Sequence, residues 1–91
     1  MWKAASEGKT DAVAALAELG ADVNKADNEY GQTPVHWAAG YGHNDIITLL
    51  VSLGADVKQA NNDGVTPVYF AALKGHNDTI TLLVSHGADV S

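Results

Sequence analysis

Apolar residues in this chain arrive in paired bursts punctuated by glycine. One burst is short and rich in small residues: Val35, Trp37, Ala38 and Ala39, closed by Gly42. The next, Ile46, Ile47, Leu49, Leu50 and Val51, supplies one apolar helical face and stops at Gly54. Each burst has its own start signal. Thr33 suits an N-cap, and Pro34 suits the first helical position, where a missing N–H costs nothing. Asp45 favours the positive end of the second helix. The pattern predicts a short helix over about residues 34–41 and a second over about 44–53. Gly42 and Gly54 end them in the left-handed region. Helices this short are marginal alone in water, so neighbours must hold them.

The neighbours are copies. Residues 33–58 read TPVHWAAGYGHNDIITLLVSLGADVK and residues 66–91 read TPVYFAALKGHNDTITLLVSHGADVS, with 19 of 26 aligned positions identical at an offset of 33. A worn copy lies in front, at Ala4-Ala5, Gly8, Ala15-Leu16 and Gly20-Ala21-Asp22, offset by 34. The first connection therefore carries one extra residue near Asp27 to Glu29. Self-similarity at this period marks a stack of one small unit, built to present a surface. The links carry turn chemistry: Asn61-Asn62-Asp63-Gly64 is a strong tight-turn signal. Its counterpart, Asn28-Glu29-Tyr30-Gly31-Gln32, must either bulge or change register.

The combination of Thr33-Pro34-Val35-His36, Ala38-Ala39, Gly42-His43, Leu49-Leu50 and Gly54-Ala55-Asp56 resembles the ankyrin repeat. The third unit repeats it as Thr66-Pro67-Val68-Tyr69, Ala71-Ala72, Gly75-His76, Leu82-Leu83 and Gly87-Ala88-Asp89. The resemblance covers the whole chain. It implies an all-α solenoid of stacked helix-turn-helix units linked by β-hairpin-type loops. Residues 1–27 are a partial first repeat, 28–60 a second, and 61–91 a third without a following hairpin or cap. His36 matches the capping histidine that bonds back toward Thr33, and Tyr69 replaces it in the third unit. His43 and His76 take framework places. Trp37 and Phe70 stand where the family usually has leucine and are read as packing between repeats. Asn24 matches an asparagine that hydroxylases modify in some members; here it is read as ending its turn.

Composition narrows the function. There are no cysteines, which excludes disulfides and thiolate zinc sites. Net charge is −6 and all five basic residues are lysines, so binding to nucleic-acid backbones is not expected. No long apolar run or signal peptide points to a membrane or to secretion, and an intracellular, cytoplasmic protein is the default. No reactive constellation emerges. Ser85, His86 and Asp89 lie close in sequence, but a triad is assembled in space. Gly40-Tyr41-Gly42 follows a helix and lacks the third glycine and the lysine of a phosphate loop. No cofactor or metal is expected.

The ends differ. The first unit's second helix is alanine-rich and offers little apolar area. The last unit keeps Ile80, Leu82, Leu83 and Val84, whereas a terminal repeat normally turns a polar face outward. This predicts further repeats, or another chain, against the C-terminal face.

Positions that vary between the two near-identical units are free of the scaffold. In the resembled family, partners meet the hairpin tips and the exposed positions of the first helix. Carried over by position, these are Ser6 and Glu7 in unit one. In unit two they are Glu29, Tyr30, Gln32, Gly40 and Tyr41. In unit three they are Asn62, Asp63, Val65, Leu73 and Lys74. Tyr30 and Tyr41 are the candidate anchors, because tyrosine buries much area at low entropic cost. Leu73 extends an apolar strip, and Glu7, Glu29 and Asp63 give it an acidic rim suited to a basic partner. The reading is a non-enzymatic protein-interaction module. The alternatives are a structural spacer or engineered minimal array that self-associates through uncapped ends, and the targeting segment of a larger enzyme.

Overall fold

A computed structural model describes residues 1–90; Ser91, the last position of the third repeat, lies outside the described residues. Six helices follow one another among them: α1 Trp2–Ser6, α2 Thr10–Glu18, α3 Pro34–Gly40, α4 Asn44–Ser52, α5 Pro67–Leu73 and α6 Asn77–Ser85. Helix α1 packs on α3 and α3 on α5, while α2 packs on α4 and α4 on α6. The chain is therefore three layers, each a short helix backed by a longer one.

The local signals act as their chemistry requires. Thr33 and Thr66 are N-caps in extended backbone, and each hydroxyl accepts the N–H three residues on. At the other end of α3, Gly42 has φ 71°, which lets its N–H reach Ala39 O at 3.2 Å and the His43 N–H reach Ala38 O at 2.9 Å. That pair of bonds satisfies the last carbonyls of the helix and turns the chain into α4.

The links are turns. No strand forms among the described residues, and the hairpin-type loops take the form of turn-built fingers. The first finger is closed by Asp27 N–H to Gln32 O and the second by Asn61 N–H to Val65 O, both at 2.9 Å. One closing bond does not make a ladder. These bonds also locate the extra residue. Asp27 plays the part of Asn61, so the first finger's tip holds residues 28–31 where the second holds 62–64. The insertion widens the tip and leaves the following layer in register.

The core runs through the middle of the stack. Val13, Val35, Ile47, Leu50 and Leu83 are fully buried. Each such side chain contributes about 1.5–3 kcal/mol relative to exposure. Polar bonds tie the layers where apolar contact ends. His43 Nε2–H donates to Ser6 O at 3.2 Å, and one layer later His76 Nε2–H donates to Gly40 O at 3.0 Å. Thr79 donates to Asn44 Oδ1 at 2.6 Å. Asn24 spans two turns: its side chain donates to Gly54 O at 3.3 Å and accepts the Asp56 N–H at 2.8 Å. Its role is wider than ending a turn.

The third layer shows what cover the second receives. His36, Ala39 and Ile47 are fully buried, whereas the matching Tyr69 is 57% exposed, Ala72 is exposed and Ile80 is half-buried. The C-terminal face is the face that α3 and α4 present to the next layer, here left open.

Candidate functional site

A groove of about 390 Å³ lies between the fingers and the first helices of layers two and three. Tyr30, Asp63 and Val65 form its finger wall, and Trp37, Tyr41, Phe70, Leu73 and Lys74 its helix wall. Two neighbouring layers thus contribute equivalent positions to one feature. Tyr41 and Leu73 are 56% and 61% exposed, which is where a partner would gain most by covering them.

The floor rests on one small residue. A Cβ on Gly40 would stand 2.6 Å from Phe70 Cε2, so only glycine allows the ring this close. Gly40 is buried, which corrects its expected exposure. Its replacement by leucine in the third unit reflects the open space beyond that layer, not freedom from the scaffold. Phe70 and Trp37 do pack across layers, as read from sequence. Phe70 lies against Gly40, and Trp37 stacks on Trp2 of the first layer with centroids 5.4 Å apart. Tyr41 continues the row, 6.3 Å from Trp37.

Asp27 organises the first finger. Its Oδ1 accepts the backbone N–H groups of Glu29, Tyr30 and Gly31 at 3.2, 2.7 and 3.0 Å, and its Oδ2 accepts the Trp37 indole N–H at 2.9 Å. Partial burial pushes its pKa up, but these hydrogen bonds outweigh burial and hold the carboxyl below its ordinary value. The carboxylate therefore stays charged. The neighbouring Glu29 carboxylate raises the Tyr30 pKa, first as a hydrogen-bond acceptor for the neutral phenol and then through its charge.

The remaining sequence candidates separate. Gln32 was expected at an exposed tip; it is 5% exposed, and its Oε1 accepts the Asn61 side-chain N–H at 3.1 Å, joining the two fingers. Val65 is half-buried, with its carbonyl accepting His36 Nε2–H at 2.7 Å. Both line the groove but serve the scaffold. Asn62 is exposed at the second tip, where its backbone N–H donates to Tyr30 O at 2.9 Å. Glu7 lies outside the groove and pairs with Lys9 at 3.3 Å, which weakens its part in an acidic rim. Lys74 sits with Nζ 5.7 Å from the Phe70 centroid. Ser6 is half-buried and its hydroxyl donates to Lys3 O at 2.8 Å.

Sequence reasoning missed Trp2 and Asp27. Trp2 aligns with His36, yet it is 37% exposed where that histidine is fully buried. An aromatic residue at the place of a buried histidine was the available signal. Asp27 was hidden by the one-residue offset, which obscured its equivalence to Asn61.

Among the described residues no three histidine, cysteine or acidic side chains gather to hold a metal, and no helix is long and apolar enough to cross a membrane. No curated protein matches the chain. A family model of ankyrin repeats in three copies matches residues 1–91. With the repeated helix pairs, glycine stops and stacked layers, that match places the chain in the ankyrin-repeat family.

Proposed function

We propose that this chain is a protein-binding module, as ankyrin repeats generally are, and that it binds through the groove between its fingers and first helices. The observation that carries this reading is the exposure of Tyr41 and Leu73 on the first helices of adjacent layers, flanking one apolar trough. The backbone beneath them is held by interlayer hydrogen bonds, so docking orders little that is not already ordered. Tyr30 stands on the opposite wall as a further anchor, and Asp63 marks the charged rim.

The test uses partners captured on the immobilised chain. Replacing both Tyr41 and Leu73 with alanine should weaken a partner that uses the groove by about 2 kcal/mol, roughly 30-fold, with little loss of stability. Captured partners that all bind the double variant as tightly as the parent would sink the proposal.

A second reading attaches to the C-terminal face. Tyr69, Ala72, Ile80 and Val90 line a shallow trough of about 410 Å³ there. It fits a further helical layer, supplied by this protein or by another copy. Sedimentation over a range of concentrations separates these. Association between copies rises with concentration and is abolished by Ile80→Glu, whereas a face that takes only other repeats gives a monomer throughout.

A further inference from the structure

Beside the main groove, across Tyr30 and Trp37, lies a smaller cleft of different character. It holds about 270 Å³ and is lined by Trp2, Asp27, Asn28, Glu29, Tyr30 and Trp37. That is room for one side chain, not for a helix. The two indoles stack at 30° and present π-faces. The Trp37 N–H is engaged by Asp27 Oδ2, which feeds electron density into that ring. Two carboxylates, Asp27 and Glu29, border the cleft, and no lysine lines it. Asp27 stays ionised because four N–H groups donate to it.

The main groove contrasts with this. There Lys74 already lies over the Phe70 ring. An internal cation thus occupies an aromatic face in one hollow, while the neighbouring hollow has a stacked indole pair, two anions and no cation of its own. Aromatic faces attract cations, and near carboxylates they favour a planar guanidinium, which can stack and fork at once.

We infer that this cleft receives an arginine side chain of the protein partner, stacked on Trp2 and directed at Glu29. The inference rests on the binding role proposed above, because the two hollows share Tyr30 and Trp37 and so face the same partner. It divides recognition in two: an apolar anchor in the groove and a cation in the cleft.

Trp2 and Trp37 are the chain's two tryptophans, so their indole NMR resonances report on the cleft directly. The probe is N-acetylargininamide, with N-acetylcitrullinamide as its neutral isostere. Argininamide should shift the Trp2 indole saturably and bind at least fivefold more tightly than citrullinamide. Glu29→Gln, a change at an exposed finger tip, should weaken it severalfold, as should Trp2→Ala. Equal binding of the two probes, or indifference to Glu29→Gln, would overturn the inference. The two readings fail separately. A partner that needs Tyr41 and Leu73 but binds Trp2→Ala and Glu29→Gln unchanged refutes the arginine site and leaves the groove standing. Argininamide binding, with every partner indifferent to the groove substitutions, does the reverse.

Discussion

Protonating His36 would break the cap of the middle layer. Its ring is fully buried, Nε2–H donates to Val65 O at 2.7 Å, and Nδ1 accepts the Thr33 N–H at 3.1 Å. Every ring position is thus committed to the neutral form. Burial lowers its pKa, and this outweighs the Val65 carbonyl and the Asp27 charge, which raise it. The unfolded chain then binds more protons than the folded one between the lowered pKa and the ordinary value of about 6.5. The stabilisation is complete above that ordinary value. It is lost as pH falls through it toward the folded pKa. Urea unfolding between pH 7.5 and 5 should show stability declining by up to about 1.4 kcal/mol per pH unit from this group. His36→Gln, whose amide can still donate to Val65 O, should flatten that part of the slope. An unchanged slope would remove His36 as its source.

At the scale of elements, the contact between α3 and α5 turns on the pair Gly40 and Phe70. Gly40→Ala gains up to about 1 kcal/mol of helix propensity, but its methyl meets the Phe70 ring, and overpacking costs about 1–3 kcal/mol. Net destabilisation of about 1 kcal/mol is expected in chemical denaturation. Phe70→Leu should reverse its sign in the double variant, because the smaller side chain leaves room for the methyl; additive effects of the two changes would contradict this packing. The helix bounds themselves were legible in the sequence. Caps, prolines and glycines act within a few residues, and the observed α3 and α4 end within one residue of the positions read from Gly42 and Gly54. The fingers were less legible. Whether an inserted residue widens a tip or shifts a register depends on which N–H closes it, and Asp27 settled that by gathering three backbone N–H groups onto one oxygen.

At the scale of the molecule, legibility and stability share a cause: each layer is defined by what covers it. Comparing copies pointed to Tyr41 and Leu73, whose side chains leave the stack. It misplaced Gly40 and Gln32, whose surroundings belong to the neighbouring layer and have no local signature. The same asymmetry sets the order of unfolding. The middle layer is covered on both sides, and its Val35, His36, Ile47 and Leu50 have no exposed surface. The third layer leaves Tyr69, Ala72 and Val84 open. In a stack where each layer contacts only its neighbours, stability is a sum of layer and interface contributions, so a layer lacking one interface opens first. Native-state hydrogen exchange should show the amides of α3 and α4 opening only with the whole molecule. Those of α6 should open at a free energy lower by about 1–3 kcal/mol, the worth of one or two large apolar side chains. Uniform protection from α3 to α6 would mean that the array unfolds as one unit and that the open face carries no energetic penalty. A rise in α6 protection with protein concentration would instead show that face being covered by another copy.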